Sequence, residues 1–235
     1  MLVGTPAIGA VILKQATSTI PIVGIAMING ARLGLFESLA HPGGNVTGTD
    51  SWSALAAAKR VALLKEIVPQ LARVTLLCNP DSPYTPMHLD TVLPALQTLG
   101  LESQIIKTRS ISDIDEALEV MQRDLPQAIL VFEDPVVYFL RQRVIDFISE
   151  HKIPTIGENP TWVREGSLLV YGVDLKWYWS RGAYFVDQIL KGANPATLPV
   201  EQPTRIGLYI NLKTAKAFGL RIPEAMLATA KEVIE

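Results

Sequence analysis

Short apolar runs alternate with longer helical segments along most of this chain, and that rhythm limits the fold more than any other feature. The strand-like runs are residues 20–25, 74–78, 103–106, 128–132, 155–156 and 168–171. Most are continuously apolar rather than alternating, the pattern of strands covered on both faces by helices. Helical patterns at 55–68, 113–125, 138–151 and 180–191 separate them. The first of these places Leu55, Val61, Leu64, Ile67 and Val68 on one side and stops at Pro69. Ser112 is the expected N-cap of the second, with Asp115 and Glu116 favouring its first turn. Strand–helix alternation of this kind predicts right-handed βαβ units and an α/β fold with parallel sheets. Residues 41–50 (HPGGNVTGTD) and 193–204 (ANPATLPVEQPT) break the rhythm and read as crossings between structural units.

Composition narrows the function. Hydrophobic residues make up 49% of the chain and charged residues 19%, enough for a sizeable core. The net charge of −2, with no basic run, gives no electrostatic reason to bind nucleic acid or an anionic membrane. No segment reaches the ~18 consecutive apolar residues of a membrane span. The start, MLVGTPAIGAVILKQ, lacks a basic leading segment and reads as a strand end turning into a helix, not a signal peptide. A single cysteine, Cys78, excludes an internal disulfide and reads as a buried small hydrophobe.

Catalytic constellations are not apparent. His41, His88 and His151 stand apart, none with a second ligand at metal spacing, so no metal site and no cofactor are expected. There is no nucleophile elbow, P-loop or dinucleotide fingerprint. Glu133 and Asp134 are adjacent, and in a strand their side chains diverge, which suits separate roles better than an acid/base pair.

Polar groups do recur at the carboxyl ends of the strands: Gly4-Thr5-Pro6, Asn29-Gly30, Asn79-Pro80-Asp81, Glu133-Asp134-Pro135 and Glu158-Asn159-Pro160. In doubly wound sheets ligands bind there, beside the backbone N–H groups of helix starts. Each motif alone is also a good turn or cap; five at equivalent positions argue for one shared cleft. Trp162, Tyr171, Trp177, Tyr178 and Trp179 crowd nearby in sequence and offer flat faces to an aromatic or apolar ligand, or to a core.

From GTPA at 4–7 to the last residue, the chain resembles the periplasmic substrate-binding components of a family of ABC importers, some members of which are associated with aromatic amino acids. The resemblance runs through TSTIPIV (17–23), LGLFESLAHPGGNVTG (33–48), AAKRVALLKEIVP (57–69), RVTLLCNP (73–80), SLLVYGVD (167–174), QILKGANPATLPVEQPT (188–204) and INLKTAKAFGLRIPEAMLATAKEVIE (210–235). It implies a type I periplasmic-binding-protein fold: two doubly wound parallel-sheet lobes joined by a hinge, clamping a small-molecule ligand for an ABC permease in the periplasm or cell envelope. The expected lobes are 1–48 with 168–197, and 49–167 with 198–235. The expected ligand contacts are Thr5, Asn29, Asn79, Asp134, Glu158, Tyr171 and Asp174. A small zwitterion or carboxylate with an aromatic or branched apolar part fits these groups better than a sugar, with Asp134 meeting an ammonium. A ligand-sensing regulatory domain of the same fold is the alternative, and an enzyme a third reading.

Two departures from the family pattern matter. An Asp-Pro pair usual before the LGL segment is replaced by Asn29-Gly30, which removes a negative charge. The chain also begins where family members are already in their third strand, so the expected first lobe lacks two βα units and exposes apolar surface. A two-fold homodimer through that lobe is the resulting expectation.

Overall fold

The computed structural model describes residues 1–5, 7–51, 53–204 and 206–235. In chain order the elements are β1 (Leu2–Gly4), α1 (Ala7–Ala16), β2 (Ile22–Ile28), β3 (Val46–Ser51), α2 (Ser53–Ile67), β4 (Arg73–Cys78), α3 (Thr85–Thr98), β5 (Glu102–Lys107), α4 (Ile111–Arg123) and β6 (Ile129–Val131). They continue with α5 (Pro135–Phe139), α6 (Arg141–His151), β7 (Thr155–Gly157), α7 (Pro160–Glu165), β8 (Leu169–Gly172), α8 (Leu175–Leu190), β9 (Gly207–Asn211), α9 (Leu212–Phe218), α10 (Glu224–Thr229) and β10 (Glu232–Ile234). The expected helix start at Pro6 lies outside the described residues.

Two units result: Met1–Ala54 with Asp174–Arg205, and Leu55–Val173 with Ile206–Glu235. These bounds differ from the expected 1–48 with 168–197 and 49–167 with 198–235. Residues 168–173 are corrected to the second unit, because β8 pairs with β7 on one side and β9 on the other. Residues 198–205 are corrected to the first, because Thr49 bridges Glu201 and the Asp50 N–H donates to the Glu201 carbonyl.

The second unit holds a seven-stranded sheet in the order β10-β9-β8-β7-β6-β4-β5, parallel except between β8 and β9. Its apolar runs explain the layers. Leu76, Leu130, Leu169 and Ile210 enter one buried cluster with Val61 and Leu64 of α2, Leu96 of α3 and Met226 of α10. Their strand neighbours Leu77, Val131, Val170 and Tyr209 enter another with Met121 of α4, Ile148 of α6 and Trp162 of α7. Alternate residues thus serve opposite faces, and both faces carry helices. Each fully buried Leu or Ile contributes roughly 1.5–3 kcal/mol.

The first unit has a three-stranded parallel sheet, β1-β2-β3. Its core joins Ala10, Ile22, Met27, Leu35, Phe36, Val46 and Val200. Gly182 of α8 lies against Ile25, where an added Cβ would stand 2.5 Å from the Ile25 side chain, so a larger residue would require that side chain to shift.

Several local expectations are corrected. Residues 46–50, read as part of a turn-rich connection, belong with Ser51 to β3, whose Thr47, Thr49 and Asp50 are buried. Their polar atoms are paired: the Thr47 hydroxyl donates to the Leu198 carbonyl at 2.6 Å, and Thr49 Oγ1 accepts from the Ala26 N–H at 2.9 Å. Leu55 is 65% exposed, not on the core face of α2. The cap of α4 is Ser110, whose hydroxyl accepts from the Asp113 N–H, rather than Ser112. The helix expected over 138–151 divides at Leu140 into α5 and α6.

Candidate ligand site

In the second unit the strand order reverses at β4: β5 lies on one side of it and β6 on the other. A doubly wound sheet opens a crevice at such a switch point, outside the carboxyl ends of the two diverging strands. Asn79 follows β4 and Asp134 follows β6, and the Asn79 amide donates directly to the Asp134 carboxylate. Asp134 also caps α5 by accepting from the Val137 N–H at 3.0 Å. Those two bonds leave accepting capacity on the carboxylate.

The polar network extends across the sheet edge. Glu158, after β7, accepts from the Glu133 N–H at 2.8 Å and lies 3.4 Å from the Arg60 guanidinium. Arg60 is 1% exposed and donates through Nε to the Tyr171 carbonyl of β8 at 2.9 Å. Gly172 is required beside it, because a Cβ there would meet the Glu158 carbonyl oxygen at 1.7 Å. Glu133 turns away from Asp134 and accepts from Asn159 Nδ2 at 2.8 Å and Trp162 Nε1 at 3.0 Å. Burial pushes the Glu133 carboxyl up to about 8, the negative charge of Glu158 adds to this, and the two hydrogen bonds oppose it. Burial thus disfavours the ionised form of Glu133, and Glu158 is a charge partner of Arg60.

Asn79 and Asp134 thus form one contacting pair, and Glu158 and Tyr171 are joined in a second group through Arg60, Tyr171 by its backbone while its ring packs on the core; the two groups adjoin through the consecutive residues Glu133 and Asp134. Thr5, Asn29 and Asp174 belong to the first unit. Thr5 is exposed after β1; Asn29 is exposed in the left-handed region (φ 51°) at the end of β2; Asp174 caps α8, accepting from the Lys176 N–H at 2.9 Å. Of the nearby aromatics, Trp162 is fully buried in the core, Tyr178 is buried with its hydroxyl on Ser51, and Trp179 is half exposed.

Arg60 was not anticipated as part of this edge, yet its signal is visible: an arginine among Ala57, Val61 and Leu64 on the buried stripe of α2. A long cation held there needs a buried partner. In the sequence His88 is marked only by standing apart from the other histidines. It is the fourth residue of α3, 2% exposed, with its ring edge-on to Phe132 at 4.8 Å.

A polar edge at the switch point of a doubly wound sheet, in a chain of two such α/β units, defines the class: a type I periplasmic-binding-protein fold. The sequence matches the family described as ABC transporter substrate binding protein over residues 1–234, and the chain belongs to that family. It is 24% identical over 207 residues to a tyrosine-binding protein of Clostridioides difficile (strain R20291), covering 88% of this chain and 59% of that protein. The chain therefore spans about three-fifths of that curated relative. Among solved structures, an ABC domain in complex with L-Trp from Streptococcus pneumonia superposes with a TM-score of 0.88 at 25% identity, covering 99% of this chain and 77% of that one. A conserved domain protein from Vibrio cholerae O1 biovar El Tor gives 0.88 at 26%, covering 99% and 76%.

Proposed function

We propose that this chain captures a small solute for the permease of an ABC importer, outside the cytoplasmic membrane, and does not convert it chemically. Membership of the substrate-binding family supports the role. The observation that carries it to particular atoms is the Asn79–Asp134 pair at the switch point of the second unit's sheet. A partly exposed carboxylate oriented by a neighbouring amide and a helix start suits a ligand ammonium through charge-assisted hydrogen bonds. Thr5, Asn29 and Asp174 stand on the other unit and remain proposed contacts.

The solute class is proposed as an amino acid with an aromatic side chain. Two relatives are named for such ligands, tyrosine and L-Trp. Native mass spectrometry of freshly purified chain, followed by calorimetry with a panel of amino acids and sugars, tests this. An aromatic amino acid bound at one per chain is expected; sugar binding without amino-acid binding contradicts it. Self-association through the first unit is a separate proposal, supported by the exposed Val3 of edge strand β1 and by Ile8 and Ile12 of α1. Light scattering at micromolar concentration is expected to give a dimer, and a clean monomer contradicts it.

A further inference from the structure

His88 is buried without a hydrogen bond on either ring nitrogen among the described residues. Leaving such a group unpaired is destabilising, so a purely structural role explains it poorly. Burial holds the imidazole below its ordinary range; Glu158 opposes this and Arg60 reinforces it. The ring is therefore neutral and offers one donor and one acceptor. It lines a recess of about 10 Å³ bordered by Tyr84, Thr85 and Phe132, with Asn79, Glu133 and Asp134 beside them. That volume is on the scale of one water- or hydroxyl-sized group. The edge-on contact with Phe132 fixes the ring's plane.

Resting on the proposed function, we propose that His88 is a specificity-determining residue: its imidazole exchanges a hydrogen bond with a hydroxyl on the bound solute, so that the site prefers a hydroxylated aromatic amino acid to its plain counterpart. A hydroxyl can accept from the protonated ring nitrogen or donate to the other, whereas a plain phenyl ring can do neither. Sites that hydrogen-bond a substrate hydroxyl discriminate well against analogues lacking it, because the buried polar group is then stranded.

Calorimetry with L-tyrosine and L-phenylalanine tests this on the parent chain and on His88→Leu and His88→Gln, each first shown to melt cooperatively. The parent is expected to bind L-tyrosine at least about tenfold more tightly. His88→Leu lowers L-tyrosine affinity about tenfold and leaves L-phenylalanine within about twofold, while His88→Gln restores part of the preference. In ¹⁵N-histidine spectra of the parent, L-tyrosine shifts the His88 ring signals and L-phenylalanine does not, a readout that survives if a variant fails to fold. Equal affinities in the parent, or equal losses for both ligands in His88→Leu, overturn the assignment while leaving the proposed function standing. Binding of neither amino acid overturns the assignment, and if L-tryptophan also fails to bind, the proposed solute class falls with it.

Discussion

The two units use buried polar groups at their strand ends in different ways. In the first, Asp50 at the end of β3 is turned inward: it accepts from the Gly30 N–H at 3.1 Å and from Gln202 Nε2 at 3.1 Å. It holds the left-handed turn after β2 and the 201–202 segment, and it is 3% exposed. In the second, Asp134 sits in the corresponding place after a strand but remains partly open, while its neighbours Glu133, Glu158 and Arg60 form the supporting layer. One carboxylate is spent on framework; the other is framed by a network and left with capacity for a ligand. Sequence position alone does not separate these two roles, and the difference between them lies in who already occupies the oxygens.

The largest expected effect tests the supporting layer. Replacing Arg60 by Met leaves Glu158 without its cation and the Tyr171 carbonyl without its donor. A broken buried ion pair costs about 3–5 kcal/mol, so urea unfolding should show a loss of that size. The first unit offers the contrast: Arg181 pairs with Glu201 at 2.6 Å and stacks on Tyr184, but both charged side chains are about one-third exposed. Arg181→Met should cost about 1 kcal/mol or less.

Next in size is a pH effect on the framework carboxylate. Burial raises the Asp50 carboxyl from 3.8 to about 6 in the folded chain. The folded state therefore holds the proton more tightly than the unfolded one, and this group's contribution is most favourable below about pH 4. It is lost as pH rises through about 6, by up to roughly 3 kcal/mol. Asp50→Asn removes that part of the slope, so the variant should gain stability relative to the parent between pH 4 and 7. A constant difference across that range contradicts the assignment. Glu133 carries the same sign in the second unit, its loss continuing until pH passes about 8.

Asp134, the carboxylate proposed to meet the ligand, should behave differently again. Asp134→Asn keeps the cap for α5 but puts an amide NH2 where the second carboxylate oxygen accepts from Asn79, and should cost about 1 kcal/mol of stability. It should weaken an ammonium-bearing ligand by about 1.5–3 kcal/mol. A large stability loss with unchanged affinity would reverse the roles assigned to Asp50 and Asp134.

These contrasts also mark what the sequence makes legible. Strands β4, β6 and β8 announce themselves because they are apolar on both faces, and the Asn79 and Asp134 ends follow from the first two. β3 does not, because its interior is Thr47, Thr49 and Asp50, whose burial depends on partners distant in the chain, Leu198 and Gln202. The placement of 168–173 was missed for a related reason: β8's antiparallel partner β9 lies about 40 residues downstream, and pairing of that kind leaves no local pattern. Arg60 and His88 sit on helices whose apolar spacing hides them, since a buried polar side chain occupies the same position in the period as a buried Leu.

The central claim is that the second unit's polar edge binds an amino acid through Asp134. Titration calorimetry of L-tyrosine and L-tryptophan into the parent and Asp134→Asn chains tests it most directly. The account predicts saturable one-to-one binding by the parent and a weakening of about tenfold to 150-fold in the variant. No binding of either amino acid, or equal affinity in the two chains, would contradict it.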